Sequence, residues 1–283
     1  MAHYHLMHCI PDPRMHGLNG YKEVIETVRW GLEQLEHRAT YALNEIADGA
    51  SNIIFGAQVM PIAALKELPP GTVIYNFEQL RDVGIERIRP EIRTYSQVPH
   101  LAIWDYSAAN LPSWRVLGRN DVKIVPVGYA PILSRIAKPA HQDIDVLMYG
   151  LTGERRLQTF HGLSQLGLSA VFVSGLYGEA RDNLISRSKV VLNINLYAQM
   201  RIFEIVRVSY LLANRKAVVA DLEANTSVED DMRSAVRFTS SLKELLDVCV
   251  DLVKNESARV ELEGLGFSSI KRRDIRPILE SAL

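Results

Sequence analysis

A chain of 283 residues, 47% hydrophobic and 23% charged, has the apolar content to bury a core and the length for two ordinary domains. Its formal net charge of −1 excludes a global basic field for nucleic acid or anionic membrane, leaving only local patches for such partners. No window approaches the roughly 18 apolar residues of a membrane span, and His3, Tyr4, His5 and His8 interrupt any signal-peptide core, so a cytoplasmic protein is expected.

Residues 3–10 read as an opening strand, ended by Pro11 and Pro13. A loop carrying His16, Gly17, Asn19 and Gly20 leads to a helix predicted over 21–37, with Val24, Ile25, Val28, Leu32 and Leu35 on one face. This strand–glycine–helix corner suits a phosphate or a sugar, but it lacks the G-x-G-x-x-G spacing of a simple dinucleotide site. Short β-prone runs follow at 52–55, 72–75, 100–104 and 122–125, with helical or loop segments between them. Two of these strands end in polar clusters that contain Glu78 and Asp105, and polar residues just after parallel strands line the ligand-binding edge of a sheet. Taken singly, such carboxylates are more often helix caps than catalysts.

Pro126 to Pro131 marks a boundary, rich in residues that end elements. A second alternating series begins with a strand at 145–149 and continues with strands at 170–173, 190–194, 217–220 and 236–238, then a helix over 241–253. The two cysteines, Cys9 in the opening strand and Cys249 in this late helix, lack metal-like spacing and read as buried thiols. The expected domains are therefore 1–130 and 131–265, with a C-terminal segment, 266–283, whose helix can pack back on the first.

Two places in the second series carry chemistry. At 150–156, Gly-Leu-Thr-Gly-Glu-Arg-Arg follows a strand and opens a helix, so backbone N–H groups and two cations meet at a helix N-terminus, suited to a diphosphate. At 193–221, a helix of roughly 3 to 4 turns is predicted between two strands, with Phe203, Val206, Tyr210 and Leu211 on its apolar face. Arg201 and Glu204 then fall in its first turn, where a carboxylate can accept ribose hydroxyls and an arginine can clamp a phosphate. The spacing alone is equally that of a helical ion pair.

These blocks, in order, resemble a known family. D-V-L-M-Y-G-L-T-G-E-R-R at 145–156, V-S-G-L-Y-G at 173–178, V-V-L-N-I-N at 190–195, R-I-F-E at 201–204 and A-V-V-A-D at 217–221 are similar to the nucleotide-binding half of GT-B glycosyltransferases, particularly the bacterial group with a family-1-like C-terminal domain. Y-N-F-E-Q-L at 75–80, W-D-Y-S at 104–107 and V-P-V-G-Y at 125–129 extend the likeness into the first half. The resemblance implies an α/β protein of GT-B type, two Rossmann-like domains facing a cleft, with the donor nucleotide on the second.

Carried over residue by residue, it implies donor contacts from Gly150, Thr152, Arg155, Arg156, Tyr177, Asn193, Asn195, Arg201, Phe203 and Glu204. Glu204 would hold the ribose, and Arg155 or Arg156 the diphosphate. The catalytic base is expected among Glu78, Asp105 and His16, in that order. The implied activity is metal-independent transfer from a nucleotide-diphosphate sugar, with no cofactor, to a glycan, a lipid-linked glycan, a protein or a modified nucleic-acid base. Alternatives on the same fold are a nucleotide-sugar epimerase or hydrolase, or a non-catalytic nucleotide-sugar-binding subunit.

Overall fold

The structure, a computed structural model, describes residues 1–197 and 201–283, the side chain of His16 excepted. The chain divides into two compact units, Met1–Ala130 with Asp274–Leu283, and Pro131–Arg273.

The first unit holds strands β1 (His3–His8), β2 (Arg38–Leu43), β3 (Ser51–Phe55), β4 (Val73–Asn76), β5 (Ala102–Asp105) and β6 (Lys123–Ile124). Helices α1 (Lys22–Gln34), α2 (Ile62–Lys66), α3 (Pro90–Ser96) and α4 (Leu111–Val116) connect them. All strand pairs are parallel, in the order β2-β1-β3-β4-β5-β6. Met7, Ile54, Ile74 and Ile103, one from each central strand, pack on one face with Leu65, Tyr95 and Trp114, as expected of a sheet covered by helices.

The second unit holds β7 (Ile144–Tyr149), α5 (Glu154–Gln165), β8 (Ala170–Val173), α6 (Gly178–Arg187), β9 (Ser188–Asn193), α7 (Ile205–Ala213), β10 (Ala217–Asp221), β11 (Arg237–Thr239), α8 (Leu242–Lys254) and α9 (Glu256–Lys271). Its sheet is also parallel throughout, ordered β11-β10-β9-β7-β8. Val146, Met148, Val190, Leu192, Ala217 and Val219 alternate along its strands and bury against Leu163, Leu245 and Leu252 of the helices. The chain then returns to the first unit as α10 (Ile275–Ala282). Leu279 and Ile275 of α10 lie so close to Gly31 of α1 that a Cβ there would meet them at 2.7 and 2.8 Å.

Three elements differ from the sequence expectation. Strand β2 falls just after the predicted first helix and was not expected. It is an edge strand in which only Ala39 is fully buried, so it lacks the apolar run that marks its neighbours. Helix α9 runs unbroken through Gly266, which read as the start of a tail. That glycine is a close-packing residue, because a Cβ would meet Leu212 Cδ2 at 2.7 Å and the Ala235 carbonyl oxygen at 3.0 Å. Helix α7 begins only at Ile205. Ahead of it Ile202 bridges to Ser227, Ser227 N–H donates to the Arg201 carbonyl at 2.7 Å, and Phe203 N–H donates to the Ser227 carbonyl at 3.0 Å. These bonds hold 201–203 extended, so Arg201 is not in a first helical turn and Phe203 is not on the helix face.

Candidate functional site

Each sheet reverses its strand order once. In the second unit the reversal lies between β7 and β9, in the first between β1 and β3. Crossovers leave in opposite directions at such a point and open a crevice at the carboxyl ends of the two strands, which is where open α/β sheets take ligands.

At the second-unit reversal, Gly150 follows β7 with φ +130°, a conformation open essentially to glycine. A Cβ there would also meet Arg156 Nη1 at 2.9 Å and Arg207 Nη2 at 3.3 Å. Gly153 then caps α5 with no side-chain hydrogen bond, so the first N–H groups of that helix have no side-chain cap. From β9, Asn193 is 1% exposed. Its Oδ1 accepts from Arg207 Nη1 at 3.3 Å, while its Nδ2 has no hydrogen-bond partner among the described residues. The Arg207 guanidinium also lies 5.5 Å from the Tyr149 ring centroid. The glycine turn, Asn193 and Arg207 therefore converge at one strand reversal.

The two expected diphosphate cations are both engaged by protein acceptors. Arg156 is buried and donates from Nε and Nη2 to the Ile194 carbonyl at 3.0 and 2.6 Å, and from Nη1 to the Leu151 carbonyl at 2.6 Å. It thereby ties the glycine turn to the end of β9. Desolvation, reinforced by neighbouring Arg207, lowers its pKa to about 10, with the Glu204 and Asp221 charges opposing. Arg155 pairs with Asp221 at 2.8 Å and Glu223 at 2.5 Å. It lines a small cleft with Thr239, Ser240 and Leu242, at the ends of β10 and β11. Asp221 Oδ1 in turn accepts from Asn195 N–H at 2.9 Å, and burial raises its pKa.

Of the remaining expected donor contacts, Thr152 is exposed in the glycine turn, and Tyr177 caps α6. Asn195 is 2% exposed. Glu204 is half-buried at the cap of α7 with no side-chain cap bond. Phe203 is buried edge-on against Phe238, 5.2 Å between centroids, as a packing residue.

At the first-unit edge, Glu78 is half-buried just beyond β4. Its Oε1 accepts from Gln58 Nε2 at 3.0 Å, and the same nitrogen donates to the Tyr21 hydroxyl at 3.0 Å. The Glu78 backbone is fixed as well. Its carbonyl accepts from Asn76 Nδ2 at 3.0 Å and Asn110 Nδ2 at 2.9 Å, and its N–H donates to Asn76 Oδ1 at 3.3 Å.

Asp105, by contrast, is 0% exposed. It accepts from Trp114 Nε1 at 2.7 Å, Asn76 Nδ2 at 2.8 Å, Ser107 N–H at 2.8 Å and Asn110 Nδ2 at 3.0 Å. Burial raises its pKa to about 6 in spite of those four donors. Its carboxylate organises Asn76 and Asn110, which hold Glu78. The backbone of His16 lies in a 3-10 turn, His16–Tyr21, and its side chain is outside the described residues. Among the described residues, no group of three His, Cys, Asp or Glu is placed to hold a metal ion, and no helix is long and apolar enough to cross a membrane.

Sequence reasoning passed over Arg207, Gln58 and Tyr21. Arg207 lies three residues beyond Glu204, a spacing that pointed to it once the helix start was known. Gln58 had no signal at all.

Two doubly wound parallel α/β units, each with one strand-order reversal, define the GT-B fold. The same fold is found in solved glycosyltransferases. Anabaena HepE in complex with UDP-glucose aligns at TM-score 0.61 and 12% identity, over 100% of this chain and 99% of that one. WaaG, a glycosyltransferase involved in lipopolysaccharide biosynthesis, aligns at 0.57 and 12%, over 99% and 98%. T4 phage BGT in complex with UDP and Mn2+ aligns at 0.61 and 12%, over 100% and 98%. No protein-family model and no curated protein matches the sequence.

Proposed function

We propose that the protein is a glycosyltransferase that moves a sugar from a nucleoside-diphosphate sugar to an acceptor hydroxyl, using side-chain charge rather than a bound metal. The observation that carries this reading is the buried Asn193 Nδ2, which has no partner among the described residues and stands beside Arg207 and the Gly150 turn. A buried donor left unsatisfied costs about 1–3 kcal/mol, and the oxygens of a diphosphate would satisfy it. The fold's occurrence in glycosyltransferases solved with UDP and UDP-glucose supports the choice of ligand.

In this reading Arg207, Asn193 and the first N–H groups of α5 stabilise the nucleoside diphosphate as its bond to the sugar C1 breaks and negative charge gathers on the leaving oxygen. Arg156 keeps the turn in shape, and Glu204 takes the ribose hydroxyls. Glu78 accepts the proton of the acceptor hydroxyl as its oxygen bonds to C1. Asp105, without exposure, orients the Glu78 loop.

Calorimetry with UDP and product analysis with UDP-glucose test the proposal. UDP is expected to bind, and Arg207→Gln, leaving a folded protein, to weaken it by about 1.5–3 kcal/mol, the value of a hydrogen bond to a charged group. Unchanged UDP affinity in that variant would remove the anion site. Epimerised or merely hydrolysed UDP-glucose, with no transfer to any acceptor tried, would replace transfer by another chemistry on the same fold.

A further inference from the structure

We infer that Gln58 is a positioning residue for proton abstraction, fixing the Glu78 carboxylate at the edge of the first sheet; the inference rests on the reading of Glu78 as the base. Gln58 follows Gly56 at the end of β3, in the 3-10 turn Ala57–Val59. Gly56 has φ +86°, and a Cβ there would meet the Cys9 carbonyl oxygen at 2.8 Å, so the turn that delivers Gln58 is tightly determined. The side chain is 5% exposed.

A carboxylate only accepts hydrogen bonds, so the amide must present its NH2 group to Glu78. Both amide hydrogens then have acceptors, Glu78 Oε1 and the Tyr21 hydroxyl, each at 3.0 Å. The amide is pinned from two elements, the cap of α1 and the loop after β4. The Tyr21 ring packs against Phe77, 5.2 Å between centroids, so the hydroxyl that anchors Gln58 is itself held by an aromatic contact.

The chemistry of the partner matters. An arginine or lysine at this place would favour the charged carboxylate strongly and weaken it as a base. An apolar residue would leave the carboxylate without a fixed orientation. A neutral amide supplies direction without adding a full positive charge beside the carboxylate. Gln58 also completes a division of labour: the Asp105, Asn76 and Asn110 cluster fixes the Glu78 backbone, and Gln58 fixes its side chain.

The test uses two variants and two readouts. Gln58→Glu is nearly isosteric and sets a second carboxyl against Glu78. Gln58→Leu removes the hydrogen bond. Titration of 13C-labelled glutamate carboxyls by NMR, assigned with Glu78→Gln, reports the coupling without reference to turnover.

In Gln58→Glu the two carboxyls are expected to titrate as a coupled pair, its upper apparent pKa raised by at least about 1 pH unit over Glu78 in the native protein. The acid limb of UDP-glucose turnover should move with it. In Gln58→Leu, kcat should fall about 10- to 100-fold at unchanged donor KM, the scale of a misplaced reacting group. A Glu78 titration that does not respond to Gln58→Glu, in a variant whose melting temperature is native, overturns the proposal. So does native kcat in folded Gln58→Leu. Full turnover by Glu78→Gln would instead sink the reading of Glu78 as base, and the NMR arm distinguishes the two failures.

Discussion

Replacing Asp105 by asparagine is expected to make the protein more stable and less active. Asp105 is 0% exposed and its folded-state pKa is raised from 3.8 to about 6, chiefly by desolvation. Between those pH values the folded protein keeps a proton that the unfolded chain has released. The stability associated with the neutral carboxyl is therefore fully present below about pH 3.8 and lost as pH rises through about 6. At about 1.4 kcal/mol per pH unit, the loss amounts to about 3 kcal/mol.

Asparagine has the same shape and no charge at any pH. It turns an N–H2 group toward one of the donors from Trp114, Asn76, Asn110 or Ser107, but a protonated carboxyl faces the same mismatch. In urea titrations the two proteins should agree within about 1 kcal/mol near pH 4 and separate by about 2–3 kcal/mol in favour of Asp105→Asn near pH 7.5. Turnover should move the other way, by less than the roughly 100-fold minimum for a lost base, because the Glu78 loop loses part of its support. A variant less stable than the native protein near pH 7.5 would refute this reasoning. It would mean that four donors outweigh burial and that the folded pKa lies below 3.8.

Three further outcomes are expected. Gly150→Ala should cost about 1–3 kcal/mol of stability through its positive φ, more if Arg156 is displaced, and should weaken UDP binding; a native melting temperature with native UDP affinity would contradict the crowding at that turn. Glu204→Ala should lower nucleotide-sugar affinity by about 1.5–3 kcal/mol in a folded protein, and calorimetry with unchanged affinity would remove it from the ribose site. Treatment with a chelator should leave UDP-glucose turnover unchanged, and activity restored only by added divalent cation would assign the charge neutralisation to a metal.

The alternating β-α series was legible in the sequence because parallel strands buried on both faces carry near-continuous apolar runs, as in V-L-M-Y at 146–149 and V-V-L-N at 190–193. The glycine turn at Gly150 was legible for a related reason: a positive φ beside two guanidiniums admits no side chain. Strand order was not legible, since pairing is a property of distant segments, and it is the reversal between β7 and β9 that sets Asn193 beside the Gly150 turn. The assignment of cations was hidden as well. Adjacent Arg155 and Arg156 look equivalent in the chain, but successive positions on a helix point in different directions. One reaches Asp221 and Glu223, the other the carbonyls of Ile194 and Leu151, and Arg207 comes to the crevice from α7. Glu78 and Asp105 likewise read as two carboxylates after two strands, with Glu78 placed first as the base. Only the folded packing, which encloses Asp105 among four donors and leaves Glu78 half-exposed beside Gln58, separates a wholly buried carboxylate from a partly accessible one.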